Sequence, residues 1–140
     1  MTHEILNNKY DLFKLQLDDE RAHKHFYHYS DMIAQIRKLR DGWLGGEGLA
    51  LNGDGLNWLH DKLRKYFLYQ PTLYPTVDGN VLMEWWFQHF DCSLKIDLKD
   101  RVGYWCVIKR DDLLETYEVL DLKHPSEWDY LSYLVRYYYV

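Results

Sequence analysis

Histidine and carboxylate side chains are the groups in this sequence that could do chemistry, and the first set is a histidine cluster. His23, His25 and His28 fall in a segment that predicts a helix, where His25 and His28 would share one face. Imidazoles bind transition metals, but a tight site needs more converging ligands than this cluster offers. The neighbouring residues are charged and indicate a solvated face. We therefore predict no metal site and no cofactor.

Glu47, His60 and Glu84 form a second, looser set. A carboxylate and an imidazole could share acid–base work in a small hydrolase or nucleotide-processing enzyme if the fold brought them together. Glu84 alternates with Met83 and Trp85 in a predicted strand, which favours the wet face of that strand. The sequence has no serine or cysteine in a nucleophile elbow and no H-E-x-x-H motif. We predict no catalytic residues, and the enzyme stays an alternative.

A glycine-rich loop is the third candidate, since exposed N–H groups in such loops can hold phosphate. Residues 42–48 contain four glycines, but Gly46-x-Gly48 lacks the third glycine of a dinucleotide-binding fingerprint. The spacing favours a structural connection between two helices. A ligand-binding module, with an apolar cleft beside this loop and Trp43 or Trp58 in its wall, is a further alternative.

Aromatic side chains are the most quantitative signal. Six Trp and thirteen Tyr exceed what the core of a 140-residue chain can hide. Trp85 and Trp86 are adjacent in a predicted strand and must face opposite sides of the sheet, so one of them points outward. An aromatic outer face is typical of a protein interface, unless a helix covers it and makes it core. The predicted interface residues are Leu82, Trp86, Gln88, Phe90, Tyr137, Tyr138 and Tyr139.

The helices that would position these residues follow from apolar residues at helical spacing. We expect one helix from Asp18 to about Arg40 and leave residues 1–16 unassigned. A second should begin near an Asp54 N-cap and run to about Tyr69, before Pro71. A third should begin at about Pro125, where Ser126 and Asp129 resemble a capping box.

Between the second and third helices the sequence predicts four to five strands. Asp78-Gly79 tolerates the positive φ of a tight hairpin turn, and the other connections are short, which predicts an antiparallel meander. Pro75 lacks an N–H, so its strand should lie at an edge or carry a bulge. We predict a single α+β domain over residues 1–140, with the three helices on one face of the sheet. The expected strands are 72–77, 80–90, 92–98, 102–109 and 115–122.

Seven segments between residues 42 and 131 carry recognisable motifs: GWLGGEGLA at 42–50, LNWL at 56–59, YPTVDGNVLMEW at 74–85, SLKIDL at 93–98, GYW at 103–105, LDL at 120–122 and WDYL at 128–131. Together they resemble a family of small uncharacterised bacterial proteins. The family pattern includes G-W-L-[DG]-G-E-G and Y-P-T-x-[DE]-G-x-V-x-x-E-W. The resemblance implies a shared fold and no particular chemistry.

Charge and composition limit the classes of function that the sequence predicts. A net charge of −5 disfavours direct nucleic-acid binding. The residues from Met1 to Glu4 begin neither the basic nor the apolar region that is typical of a signal peptide, and no apolar run approaches about 18 residues. We therefore expect a cytoplasmic protein that does not enter a membrane.

The best prediction is therefore a non-enzymatic protein–protein interaction domain with a basic partner. Asp97, Asp111, Asp112 and Glu115 would supply the electrostatic steering. A mobile-element inhibitor, antitoxin-like or anti-CRISPR-like, fits this description by analogy. A homodimer is plausible because exposed strands and aromatic side chains favour self-association.

Overall fold

The computed structural model describes residues 29–139, and these residues have the α+β fold that the sequence predicts. Two helices precede a five-stranded sheet and a third follows it. The elements are α1 (Tyr29–Arg37), α2 (Gly53–Lys65), β1 (Thr72–Pro75), β2 (Val81–Trp86), β3 (Phe90–Asp97), β4 (Val102–Lys109), β5 (Glu115–Asp121) and α3 (Pro125–Tyr138).

The sheet is an antiparallel meander in the order β1-β2-β3-β4-β5, so each strand pairs with its neighbours in sequence. Gly79 turns the chain between β1 and β2 with φ 83°, a conformation that glycine adopts without strain. Pro75 ends β1, and β1 is an edge strand, as its missing N–H predicts.

One face of the sheet forms the core with the helices. Met83, Leu94 and Trp105 lie on this face and are almost fully buried, and Trp128 and Val135 of α3 are buried with them. Leu94, Ile96 and Leu98 point inward, whereas Ser93, Lys95 and Asp97 are only half-buried, which confirms the predicted alternation. The opposite face has no helix over it among residues 29–139, and we call it the open face.

The helix ends differ from the predictions. In the described part, α1 ends at Arg37 and not at about Arg40; the predicted segment 18–28 and the unassigned residues 1–16 lie outside the described residues. The N-cap of α2 is Asn52, whose Oδ1 accepts a hydrogen bond from the Gly55 N–H at 2.8 Å, so the prediction of Asp54 was wrong. This helix ends at Lys65, before Tyr69, which has a positive φ of 53°.

The third helix begins at Pro125 as predicted, but its cap is different. His124 is the N-cap residue and makes no side-chain capping bond, so Ser126 and Asp129 lie inside the helix and form no capping box. Pro125 suits the first helical position because it has no N–H to leave unsatisfied. None of the helices described here is long and apolar enough to cross a membrane.

Candidate interaction surface

The open face has an apolar and aromatic surface that reaches from β2 to β5. Along β2 and β4 its side chains alternate with buried residues, as the pleat requires, whereas Leu120 is the one buried residue of β5. Trp86 is 46% exposed, Tyr104 50%, Tyr117 66% and Val119 67%. Leu82 and Ile108 are half-buried members of the same surface. These exposures confirm that one of the two adjacent tryptophans points outward, because Trp85 is only 2% exposed.

The strand register places these residues in rows across the sheet. Leu82 pairs with Lys95, Lys95 with Tyr104, and Tyr104 with Val119. Directly opposed side chains on one face of a sheet lie close enough to touch. The open face is therefore a continuous surface, with polar side chains concentrated on β3 in its middle.

Ion pairs engage two of the three charged residues of that central strand, Lys95 and Asp91, and the Asp97 carboxylate accepts the backbone N–H groups of Lys99 and Asp100. The Lys95 ammonium lies 2.7 Å from an Asp78 carboxylate oxygen, and the Arg110 guanidinium lies 2.7 Å from Asp91. Burial pushes the pKa of Asp78 up, but hydrogen bonds from Lys95 and Thr76 outweigh burial and hold the pKa below its ordinary value. The middle of the open face thus carries paired charges between two apolar regions.

The β4–β5 hairpin borders this face with an excess of negative charge, in which Asp111 and Asp121 are ion-paired with Lys109 at 3.8 Å and Lys123 at 3.7 Å. Residues 111–121 contain five acidic residues and no Lys, Arg or His. Leu113 and Leu114 in the same segment are 71% and 66% exposed. Glu115 accepts a hydrogen bond from the Tyr117 hydroxyl, which raises the pKa of that tyrosine to about 12. Acidic and apolar groups are therefore combined along one side of the sheet.

The predicted interface residues of the strand region do not all share the open face. Leu82 and Trp86 lie on it, and Gln88 is exposed in the following turn. Phe90 lies on the helix-covered face, where its ring meets Tyr138 of α3 edge-on with centroids 4.9 Å apart. The prediction of Phe90 beside Trp86 was wrong because β2 ends at Trp86 and not at residue 90. The Phe87 N–H donates to the Phe90 carbonyl at 3.0 Å and closes a tight turn.

The C-terminal tyrosines belong to the helical side of the molecule. Tyr138 packs against Phe90 and the core, and Tyr139 stacks on Tyr69 with ring centroids 4.2 Å apart. Tyr137 is 63% exposed. Because α3 covers the face opposite to the open one, these residues do not extend the surface around Trp86.

Sequence reasoning missed Tyr104, Tyr117 and Val119, which are the most exposed apolar residues of the open face. Alternation with apolar, buried Trp105 and Leu120 is the signal that would have identified Tyr104 and Val119. Tyr117 lies between exposed Thr116 and half-buried Glu118, and alternation does not mark it.

The acid–base set does not converge. The His60 Nε2 lies 2.9 Å from the Ser30 hydroxyl, within the helical layer. Glu84 lies between buried Met83 and Trp85 and so faces the other side of the sheet. Glu47 is exposed in the glycine loop, where it forms an isolated bridge with Leu44. The sheet thus separates the histidine from Glu84.

The glycine loop closes around its own tryptophan. Trp43 donates through Nε1 to the Leu49 carbonyl at 2.9 Å, and a Cβ on Gly48 would lie 2.7 Å from the Trp43 ring. Trp58 packs edge-on against Trp128, and the Arg101 guanidinium covers it at 5.2 Å. The ligand-binding alternative requires Trp43 or Trp58 to line an apolar cleft. Both tryptophans instead pack against neighbouring residues of the protein.

A cleft of about 370 Å³ occurs elsewhere, where the ends of two hairpins meet. It is lined by His89, Phe90, Lys109, Arg110 and Asp111. Arg110 is engaged there with Asp91, and Lys109 lies 3.8 Å from Asp111. The cleft therefore presents no surplus charge to a small ion.

Metal and thiol chemistry have little support in the part of the chain that the structure describes. No three His, Cys, Asp or Glu side chains between residues 29 and 139 are grouped to hold a metal ion. His23, His25 and His28 lie outside that range. Cys92 and Cys106 are unbridged and point to opposite faces of adjacent strands. Burial raises the pKa of Cys92 to about 12.

No protein-family model, curated protein or solved structure matches this chain, so the family resemblance stays a prediction.

Proposed function

We propose that this protein is a non-enzymatic interaction domain that binds a basic protein partner through the open face. The observation that carries the proposal is the exposure of Trp86, Tyr104 and Tyr117 on one sheet face, with no helix over them among residues 29–139. Tryptophan and tyrosine supply much contact area for little lost side-chain entropy, and they dominate the centres of protein interfaces.

Charge supports a basic partner. The chain has a net charge of −5, and five of its 22 acidic residues lie in the segment 111–121, beside Tyr117 and Val119. Opposite charge on a partner would raise the association rate and favour that partner over acidic ones. Lys95 and Arg110 are ion-paired with Asp78 and Asp91, outside this segment, whereas Lys109 and Lys123 pair with Asp111 and Asp121 within it.

The role that we propose is inhibition of the partner, as in antitoxin-like or anti-CRISPR-like mobile-element inhibitors. A small acidic domain seated on a basic surface would block nucleic acid from that surface, because both compete for the same cations. We further propose that the complex forms in the cytoplasm, which the two unbridged thiols support.

The test begins with the wild-type protein as bait in a lysate of its source cell. The captured protein is then purified and titrated into the bait by calorimetry. We expect a basic captured protein, and we expect the double variant Trp86→Ser, Tyr104→Ser to bind it at least about 30-fold more weakly, since two interface aromatics are worth about 2 kcal/mol or more.

Tyr137→Ser is the matched control, because Tyr137 is a similarly exposed aromatic on the helical side. It should bind the partner with unchanged affinity. Equal binding by the double variant would reject the open face as the interface, and an acidic captured protein would reject the electrostatic part of the proposal.

A further inference from the structure

The two edges of the sheet are unequal. The Thr76 N–H donates to the Asn80 carbonyl at 2.8 Å, so these two residues form a hydrogen-bonded pair that continues the β1–β2 ladder. Because bonded pairs alternate along an antiparallel ladder, the backbone groups of Leu73 and Pro75 point away from β2. Pro75 has no N–H, and α1 contacts this strand. The β1 edge is therefore short and protected.

The β5 edge is protected by charge alone, through its acidic residues Glu115, Glu118 and Asp121. Its seven residues contain no proline and no lysine, and Tyr117 and Val119 are about two-thirds exposed. Natural proteins usually protect an edge of this length with proline, lysine or a covering element, because unpaired N–H and C=O groups recruit another strand. No element between residues 29 and 139 pairs with this side of β5.

The bonds that flank the β4–β5 ladder show which backbone groups face outward. The Lys109 N–H donates to the Leu114 carbonyl at 3.0 Å, and the Leu122 N–H donates to the Arg101 carbonyl at 2.9 Å. In an antiparallel pair the bonded residues alternate, so even-numbered residues of β5 bond to β4. Glu115, Tyr117 and Val119 therefore present an N–H and a C=O each to the outside.

The far end of this edge is already closed. The Asp121 N–H also points away from β4, and it donates to a Glu127 carboxylate oxygen of α3 at 3.4 Å. The free edge thus spans the stretch from Glu115 to Val119, which is long enough to bond three alternate residues of an incoming strand.

We propose that β5 accepts an extended basic segment of the partner as an additional strand of the sheet. This inference rests on the proposed function and specifies its geometry. Backbone pairing supplies the affinity, and the side chains beside Tyr117 and Val119 would continue the apolar surface of the open face. The acidic residues of 111–121 other than the ion-paired Asp111 and Asp121 select lysine and arginine in the incoming segment.

The same charges disfavour a second copy of this chain at the edge. Self-pairing through β5 would bring two segments of five acidic residues each against one another without a basic residue in either segment. Like charges across a strand pair are destabilising. The occupant that the edge fits is therefore a basic strand of another polypeptide.

The probe for this inference is a blocked heptapeptide of alternating Lys and Val, with an alternating Glu and Val peptide as its charge control. Amide shifts of the isotope-labelled protein should locate binding at Glu115, Tyr117 and Val119, and fluorescence anisotropy should give affinities. We expect the Glu peptide to bind at least tenfold more weakly. Equal affinities would overturn the charge selection.

Two N-methylated versions of the Lys peptide test the backbone pairing itself. One is methylated on all Val amides and the other on all Lys amides. In an antiparallel added strand with valine beside Tyr117 and Val119, the Val amides face β5, so the version methylated on Val should lose binding and the version methylated on Lys should retain it. Equal behaviour of the two versions would overturn strand addition.

A matched pair of protein variants completes the test. Tyr117→Pro removes an outward N–H without removing a bond to β4, whereas Tyr117→Val removes the ring and keeps the N–H. We expect the Pro variant to bind the Lys peptide at least tenfold more weakly than the Val variant. Equal affinities of two folded variants would overturn strand addition, and the N-methylated peptides decide the question if the Pro variant does not fold.

Two further outcomes separate this inference from the proposed function. A protein that forms a dimer in sizing chromatography, and loses it in Tyr117→Pro, would assign β5 to a second copy and overturn the basic segment. A captured partner that depends on Trp86 and Tyr104 but binds Tyr117→Pro and Tyr117→Val equally would overturn strand addition and leave the open-face proposal standing.

Discussion

Gly55 lies in the first turn of α2, where the helix rests against the end of β3. A Cβ at this position would lie 2.6 Å from the Leu98 Cβ and 2.8 Å from the Leu98 carbonyl oxygen. Both atoms are fixed to the backbone, so they cannot move aside as a flexible side chain could. Gly53, two residues earlier, has open space, with Arg37 Nη1 at 3.8 Å as its nearest neighbour.

Two opposing effects decide the result of Gly55→Ala. Alanine is the better helix residue by about 1 kcal/mol in a helix interior. Overpacking against fixed atoms costs about 1–3 kcal/mol. The displaced backbone would also weaken the capping bond from the Gly55 N–H to Asn52, and loss of such a cap costs about 1 kcal/mol. We expect Gly55→Ala to lower the free energy of unfolding by about 1–3 kcal/mol.

Gly53→Ala provides the matched control on the same helix. It should leave the free energy of unfolding unchanged or raise it by up to about 1 kcal/mol, because only the propensity gain applies. Urea unfolding followed by tryptophan fluorescence measures both variants against the wild type. If Gly55→Ala is as stable as Gly53→Ala, the close contact between α2 and Leu98 does not exist as described.

Two further predictions concern titratable groups. A thiol reagent at pH 8 should modify half-buried Cys106 more slowly than a free thiol and should leave Cys92 unmodified until the protein unfolds. The reason is that burial raises the pKa of both thiols, and that of Cys92 to about 12. Equal rates of modification would contradict the assignment of the two cysteines to opposite faces. Since the pKa of Asp78 is lowered in the folded state, its contribution stabilises the protein at neutral pH and is lost as the pH falls below about 4. The urea midpoint should therefore fall less between pH 7 and pH 3 for Asp78→Asn than for the wild type. Equal decreases in the two proteins would show that the pairing of Asp78 with Lys95 does not affect stability.

Local sequence chemistry predicted the architecture because each signal agreed with its neighbours. Asp78-Gly79 predicted the turn between β1 and β2, the alternation of apolar and polar residues predicted the two faces of the sheet, and Pro75 predicted the edge position of β1. The fourth strand was predicted at 102–109, which are its observed ends. These features depend on residues close together in sequence, and the fold as a whole did not override them.

The turn after β2 could not be predicted in the same way. Residues 87–90 are Phe-Gln-His-Phe and contain none of the residues that usually mark a turn. Contacts from another hairpin anchor the reversal, since the Arg110 N–H donates to the His89 carbonyl at 3.0 Å and its side chain pairs with Asp91. Extending β2 through this turn placed Phe90 on the wrong face, because a change of one residue in register moves a side chain to the opposite side.

The open face and the β5 edge meet at Tyr117, and this makes their proposed functions interdependent. The Tyr117 ring lies on the open face, and its N–H points out of the sheet edge. A strand added at β5 would bring its own side chains level with Tyr117 and Val119 and so widen the apolar surface that Trp86 and Tyr104 begin. A partner that supplies both a strand and a surface would gain from each contact once the other is made, because the second contact forms within an already associated complex. A globular basic surface without an extended segment would use the open face alone, and that difference is what the Tyr117→Pro and Tyr117→Val pair measures.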